Sequence, residues 1–342
     1  MKIDFNPQIR DYLNRCLLNS QNNPYNDFLN VDLKLNDLDE VLSALKEVNY
    51  PEFKGNQKNW PSLYLSSSQF INSEYHKTIK FVEIHEEDVK FENIELLAHQ
   101  LFNYKEIQAD PNKEMNDWMV LRALDENLNT LSLSIMDEVW MLDVPSESST
   151  IDPIAQKAHG KVITFGLGIG YFIFMAALNP QVQSITVVEK NKRIIELFKK
   201  YLLPQFNLKI ELNIIEGNAF DYFNEETLSE YDCIFVDIYQ SSDDGLEMEM
   251  KLLENFNPDF DKCDFWIEGS NLEVMPMLMY LYVDSILHQH KLSHTDPLFN
   301  LILKKIQKVL DADKRYIHEV NDLKELFYDK KLHRLILSTN VK

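Results

Sequence analysis

Short apolar runs alternate with amphipathic stretches over residues 160–270 of this 342-residue chain. Such alternation is typical of a parallel sheet covered by helices on both faces. Strands are predicted over residues 162–165, 184–189, 210–216, 231–237 and 265–268, and helices over residues 191–203, 245–256, 271–290 and 298–310. A last strand over residues 333–338 would close an antiparallel edge. We therefore predict a doubly wound α/β domain with a mainly parallel seven-stranded sheet over residues 151–342.

The first 150 residues follow a different pattern, with Gly55 as their one glycine and many Asn, Asp and Glu residues. Amphipathic helices are predicted over 37–48 and 93–102, a hairpin of strands over 130–135 and 139–144, and a turn-rich connector over 145–150. We predict a separate N-terminal α+β domain over residues 1–150. It would roof an active site and contact the substrate; the alternative is that it mediates oligomerisation, as in a homodimer.

Three of the eight glycines stand at alternate positions after the first strand of the C-terminal part, as Gly166, Gly168 and Gly170. Glycines at a strand-to-helix turn let the backbone approach a ligand closely, and the helix that follows offers free N–H groups. Glu189 ends the second strand, where a carboxylate can accept hydrogen bonds from both ribose hydroxyls. The pattern predicts a site for a nucleoside cofactor.

The glycine spacing distinguishes between cofactors. Dinucleotide sites favour G-x-G-x-x-G, whereas here Tyr171 takes the place of the third glycine. The loop resembles motif I of class I S-adenosylmethionine (SAM) dependent methyltransferases, which have a Rossmann-like fold. In that family the second strand ends in an acidic residue, and Glu189 stands at the corresponding position. Gly217-Asn218-Ala219 resembles the family's G-D-A. The resemblance implies that Asn218 and Ala219 contact adenine, with an amide oxygen in place of the usual carboxylate.

Asp237 ends the fourth strand, at the edge of the sheet where ligands of open α/β folds bind. Methyl transfer from a sulfonium is an in-line displacement, so the protein mainly positions the reactants and removes a proton from an amine or hydroxyl acceptor. We expect Asp237 to lie beside the cofactor and to act as the base or to orient the acceptor. Tyr239 would hydrogen-bond the acceptor and Glu268 would hold a cationic substrate. The acceptor is expected to be a small molecule or a protein.

Two further functions are compatible with these residues. A β-containing N-terminal module before a SAM-type domain also resembles spermidine synthases, which transfer an aminopropyl group from decarboxylated SAM. Those enzymes carry G-G-G-D-G and D-S-S-D-P, where this chain has Gly166-Leu-Gly-Ile-Gly170 and Asp237-Ile-Tyr-Gln240-Ser. Gln240 thus replaces the second acid of that motif, although Asp243 and Asp244 follow closely. The other alternative is a non-catalytic SAM-binding protein.

Charge and composition restrict the partners. The formal net charge is −21, which disfavours nucleic acid as a partner because binding it needs a basic surface. The acidic chain instead favours a cationic or neutral substrate. No stretch has the length and apolarity of a membrane helix, and residues 1–7 lack the apolar core of a signal peptide. We therefore expect a cytoplasmic protein. The three cysteines are scattered without metal-ligand spacing, so we also expect it to be metal-free.

Overall fold

A computed structural model describes residues 1–86, 88–110 and 112–341. Its strands are β1 Lys2–Ile3, β2 Tyr64–Leu65, β3 Ile84–Glu86, β4 Val89–Leu96, β5 Phe102–Asn103, β6 Gln108–Ala109, β7 Asp117–Trp118, β8 Leu121–Leu124, β9 Leu128–Ile135, β10 Glu138–Leu142, β11 Gly160–Phe165, β12 Val182–Glu189, β13 Glu211–Glu216, β14 Cys233–Val236, β15 Cys263–Phe265 and β16 Tyr316–Ile317.

The α-helices are α1 Pro7–Ser20, α2 Leu38–Glu47, α3 Ser67–Ile71, α4 Glu74–Thr78, α5 Pro145–Lys157, α6 Tyr171–Ala177, α7 Lys192–Leu197, α8 Ala219–Tyr222, α9 Glu225–Leu228, α10 Ser242–Asn255, α11 Glu268–Asn271, α12 Met275–His288, α13 Pro297–Ala312, α14 Val320–Tyr328 and α15 Lys330–Ser338. A π-helical turn, Phe198–Leu202, follows α7 directly. No helix in the described ranges is long and apolar enough to cross a bilayer.

The central sheet is wholly parallel, with five strands among the described residues in the order β13-β12-β11-β14-β15. Successive side chains of its strands face two different apolar layers: Ile163 packs in one layer and Val162 in the other. The chain leaves β11 toward one edge of the sheet and returns at β14 toward the other. The carboxyl ends of β11 and β14 therefore border the crevice in which ligands of open α/β sheets bind.

The prediction of seven strands is wrong at its last strand, because residues 333–338 lie in helix α15. The buried residues of α15 are Leu332, His333, Arg334, Ile336 and Leu337. Leu332 and Ile336 are four positions apart, as are His333 and Leu337, which is the spacing of one helix face rather than the alternation of a strand. Six residues are too few to distinguish the two patterns. Asp329 caps the helix by accepting hydrogen bonds from the N–H groups of residues 331 and 332.

In the N-terminal part, the predicted hairpin is confirmed as β9 and β10, which pair antiparallel beside β4 and β3. Residues 93–102 are not a helix: β4 pairs along its length with β9. Residues 145–150 are not a connector either, because they form the first turns of α5. The proposed boundary after residue 150 thus falls within one helix, while α1 packs in the same apolar cluster as α12 to α15.

A buried ion pair fixes the C-terminal helix against the end of the sheet. The Nε of Arg334 donates to Glu268 Oε1 at 2.5 Å, and its Nη2 donates to Glu268 Oε2 and to the Cys263 carbonyl. The two side chains are almost inaccessible, and the guanidinium lies over the ring of Phe260 at 4.4 Å. Charge buried this deeply is tolerated because each partner compensates the other.

We predict that Arg334→Leu lowers the free energy of unfolding by about 3–5 kcal/mol, because it leaves the Glu268 carboxylate buried without a partner. Urea unfolding of both proteins measures the difference. Lys331→Leu is the matched control, because Lys331 lies on the same helix with a largely exposed side chain, 3.7 Å from Asp261. Equal destabilisation by the two substitutions would contradict the importance of the buried pair.

Candidate functional site

A pocket opens at the carboxyl ends of the parallel strands, where the predicted ligand site was expected. Its floor comes from the ends of β11, β12, β13 and β14, and hairpin β9–β10 covers it. The lining residues are Ile135, Trp140, Met141, Glu147, Gly166, Leu167, Gly168, Val188, Glu189, Lys190, Asn191, Ile194, Gly217, Asn218, Ala219, Phe220, Asp237, Ile238, Tyr239, Gln240, Met248 and Trp266. Of the predicted site residues, Gly170 and Glu268 are outside this lining.

The three motif glycines have different structural roles. Gly166 has φ 98°, and a Cβ there would collide with the carbonyl oxygen of Asp237. A Cβ on Gly168 would come within 2.7 Å of the sulfur of Met141, which covers the loop from strand β10. A Cβ on Gly170 would meet the rings of Phe198 and Phe206. Packing alone therefore requires Gly166 and Gly170, and the loop at Gly168 is covered by a side chain of the hairpin.

Glu189 joins the glycine loop to the helix that follows β12. Its Oε1 accepts a hydrogen bond from the N–H of Asn191 at 2.7 Å, and its Oε2 accepts one from the N–H of Leu167 at 3.1 Å. The residue is 8 % exposed, and burial raises the pKa of its carboxyl. Each carboxylate oxygen has a second acceptor position. Glu189 can therefore bind two hydroxyl groups while it holds the loop.

Asn218 and Ala219 lie at the end of β13, as predicted. Asn218 is exposed, and its Oδ1 caps helix α8 by accepting from the N–H of Phe220 at 3.2 Å. This bond uses one of the two lone pairs of the oxygen and leaves the amide N–H₂ free. The side chain can therefore still receive a hydrogen bond from a ring amine, although the cap competes for the same oxygen.

Asp237 and Glu147 bring two further carboxylates to the pocket. Burial, together with the charge of Glu189, raises the pKa of Asp237 to about 7. Burial raises the pKa of Glu147 well above its usual range, and the neighbouring charge of Asp237 adds to the effect. Glu147 is not among the predicted site residues, because the pattern of residues 145–150 predicts a connector. Pro145 at the first position of a helix with an acid two residues later was the available signal.

Tyr239 and Glu268 are occupied by other parts of the protein. The Tyr239 hydroxyl bonds to the Trp266 carbonyl and lies 3.3 Å from Glu249 Oε1, in a fully buried cluster. The carboxylate of Glu268 is bound by Arg334. These contacts argue against Glu268 as a carboxylate that holds a cationic substrate and against Tyr239 as a donor to an acceptor molecule.

Aromatic side chains supply the walls, and the sequence analysis did not single them out. Trp266 stacks on Tyr239 with ring centroids 6.0 Å apart, and its indole Nε1 donates to Thr150 Oγ1 at 2.9 Å. Trp140 lies on strand β10 beneath Lys190, whose Nζ is 5.6 Å from the ring centroid. Flat aromatic walls of this kind favour a ligand with a planar ring. Across the described ranges, no three His, Cys, Asp or Glu side chains are grouped to hold a metal ion.

No family model and no curated protein matches the sequence. Solved structures match parts of it. A spermidine synthase from Thermotoga maritima has 13% identity and a TM-score of 0.28 over 43% of this chain and 51% of that chain. A probable spermidine synthase from Corynebacterium glutamicum has 16% identity and a TM-score of 0.26 over 46% and 57%. A shikimate dehydrogenase from Mycobacterium tuberculosis has 15% identity and a TM-score of 0.21 over 46% and 45%. The chain thus spans about half the length of each of these structures.

We predict that Asp237→Asn stabilises the protein at alkaline pH. The raised pKa means that the folded state keeps a proton that the unfolded chain loses at about pH 4, so wild-type stability falls as the pH rises from there to about 7. The amide escapes this loss, and the variant should be more stable by roughly 1–3 kcal/mol above pH 7. Urea unfolding at about pH 5 and about pH 8 measures the difference.

The exposed Asp11→Asn substitution is the control, because Asp11 is on the solvent side of α1. It should leave stability unchanged at both pH values. An Asp237→Asn protein whose stability differs from wild type by the same amount at acid and alkaline pH would contradict the raised pKa.

Proposed function

We propose that the pocket binds S-adenosyl-L-methionine and that the chain transfers its methyl group to an amine or hydroxyl of a small molecule or protein. The observation that supports this most is the set of three carboxylates around one pocket: Glu147, Glu189 and Asp237. Only one lining residue, Lys190, carries positive charge. The pocket is therefore matched to a ligand that presents cationic groups.

The same charges argue against a dinucleotide. A pyrophosphate by the glycine loop would further raise the cost of ionising Glu147 and Asp237, whose pKa values are already raised, whereas a cation would lower that cost. Like charges at short range in a half-buried site are costly. A sulfonium and an ammonium would instead be stabilised by those carboxylates. Charge therefore favours an adenosyl sulfonium over NAD.

The proposed contacts follow the order of the strands. Glu189 would accept hydrogen bonds from the ribose hydroxyls, and Asn218 with Ala219 would contact the adenine edge. The cofactor supplies a methyl group on positively charged sulfur, which the lone pair of the acceptor displaces in line. Asp237 would receive the proton that the acceptor gives up. Its pKa of about 7 suits a group that binds and releases protons near neutral pH.

Aminopropyl transfer from decarboxylated SAM is the second candidate, and one observation favours it. Gln240 replaces the second acid of the spermidine synthase motif, and Asp244, which accepts from the N–H groups of Gln240 and Ser241, is not among the lining residues of the pocket. Glu147 lies close enough to Asp237 for the charge of Asp237 to raise the pKa of Glu147. It provides a second carboxylate from a different element, and a pair of acids could bind a diamine acceptor.

Calorimetric titration with SAM, S-adenosylhomocysteine, decarboxylated SAM and NAD tests the proposal. Micromolar binding of SAM and S-adenosylhomocysteine, without binding of NAD, would support methyl transfer and justify a screen of amine and hydroxyl acceptors. A clear preference for decarboxylated SAM would support aminopropyl transfer. Tight SAM binding with no turnover of any acceptor would leave a non-catalytic SAM-binding protein. Binding of NAD alone would refute the proposal.

We predict that Glu189→Ala weakens SAM binding by about 1–3 kcal/mol, roughly 5- to 150-fold, through loss of charged hydrogen bonds to ribose. Calorimetry measures the affinity. Glu216→Ala is the matched control, because Glu216 ends the neighbouring strand β13 but lies outside the pocket lining. Equal affinity of the Glu189→Ala and control proteins would exclude the ribose contact.

A further inference from the structure

Two adjoining cavities lie on the other side of the segment that follows β15. The larger has a volume of about 460 Å³ and the smaller about 220 Å³. Both are lined by Ile107, Asp117 and Glu273, so these residues mark their junction. Trp266 lines the pocket at the carboxyl ends of the parallel strands, which we call the nucleoside pocket after its proposed ligand. Glu273, seven positions later, lines these cavities. The cavities are therefore separate from the site described above, and we call them the junction cavities.

Two carboxylates without partners meet at the junction. Neither Asp117 nor Glu273 makes a side-chain hydrogen bond or ion pair within the described part of the chain. Burial raises the pKa of Asp117 to about 7, and the charge of Glu273 adds to the effect. The pKa of Glu273 is also raised, by burial and then by Asp243. Half-buried carboxylates that lack partners lose part of their hydration, and a ligand that supplies donors would offset that loss.

His333 adds a third unused acceptor to the wall of the smaller cavity. The side chain is 3 % exposed, and burial lowers its pKa to about 4, so the ring is neutral at physiological pH. Its Nε2 lies 2.9 Å from the carbonyl oxygen of Phe327 and must carry the ring hydrogen to donate there. Nδ1 is then a bare acceptor, and it has no partner in the described residues.

The remaining lining is largely apolar. The larger cavity is bordered by Met115, Met119, Met277, Leu278, Leu281 and Phe299. Methionine and leucine side chains form an adaptable surface for an aliphatic chain. The smaller cavity also has polar residues in its wall: the Tyr328 hydroxyl accepts from the N–H of Met115 at 3.1 Å, and Lys330 lies beside Glu106, whose carboxylate accepts from the N–H of Gly269 at 3.0 Å.

We infer that the junction cavities bind a primary alkylamine, with its ammonium between Asp117 and Glu273 and its carbon chain against the methionine-rich wall. A positively charged group that donates hydrogen bonds matches the two unpartnered carboxylates that line both cavities. Neutral ligands of the same length would gain the apolar contacts but leave the two carboxylates uncompensated. The inference does not depend on which cofactor the nucleoside pocket takes.

Titration with n-butylamine, followed by calorimetry, tests the assignment, and 1-butanol is the uncharged probe of equal length. The amine should bind the full-length protein and the alcohol at least tenfold more weakly. Binding should also release protons near neutral pH, because an ammonium favours the ionised form of Asp117. Titrations in two buffers of different ionisation enthalpy measure that release. Other titratable groups that face these cavities are Glu106, His294, Tyr328 and Lys330, and the variants below separate them from the carboxylate pair.

The double substitution Asp117→Asn with Glu273→Gln should reduce amine affinity at least tenfold and abolish proton release. Asp237→Asn, in the nucleoside pocket, should leave both unchanged. Thermal unfolding checks that each variant is folded, and the single Glu273→Gln substitution provides a second, milder test. Loss of amine binding in Asp237→Asn but not in the double variant would place the amine in the nucleoside pocket and overturn the inference. Absence of amine binding to the wild-type protein would overturn it too.

Discussion

The ion pair between Glu268 and Arg334 determines where the segment after β15 can lie. Residues of that segment line both the nucleoside pocket and the junction cavities. Ile267, just before the pair, has φ 45°, a left-handed conformation that is strained for a β-branched residue. Such strain persists only where the surroundings impose it. Arg334 holds one side, and the Asn271 amide holds the other through the Trp266 carbonyl. Because the turn is fixed at both ends, Trp266 faces one pocket and the residues after α11 face the other.

Half-buried carboxyl groups with raised pKa values are the common property of the two sites. The net charge of −21 already destabilises the compact state by self-repulsion, and each half-buried carboxylate adds a desolvation cost. The protein could lower that cost with a neighbouring cation, as it does at Glu268 with Arg334. It does not do so at Asp237 or Asp117, whose pKa values are both raised to about 7. A carboxylate left uncompensated in a cavity is the arrangement expected where the compensating charge belongs to a ligand.

The parts of the site that could be predicted are those written in short local patterns. Gly166, Glu189, Asn218 and Asp237 lie at or just after the end of a strand, and parallel strands bring their carboxyl ends together regardless of the rest of the fold. Glu147 comes to the same pocket only because α5 packs across the sheet, which is a long-range contact that no local spacing records. Its serine-rich surroundings also resemble a turn. The prediction of a strand over residues 333–338 is wrong for a different reason, because six residues do not distinguish a buried strand from one face of a helix.

The glycines illustrate why a motif identifies a fold more securely than a ligand. Gly166 is required because a Cβ would strike the backbone of Asp237, and Gly170 because it packs against Phe198 and Phe206. Both constraints would hold in a protein that binds nothing. The carboxylates are different, because packing gains nothing from placing Asp237 near Glu147 and Glu189: the charge of Asp237 raises the cost of ionising Glu147, and the charge of Glu189 raises that of Asp237. The proposal of a cationic ligand therefore rests on the carboxyl groups of the wall rather than on the glycine spacing.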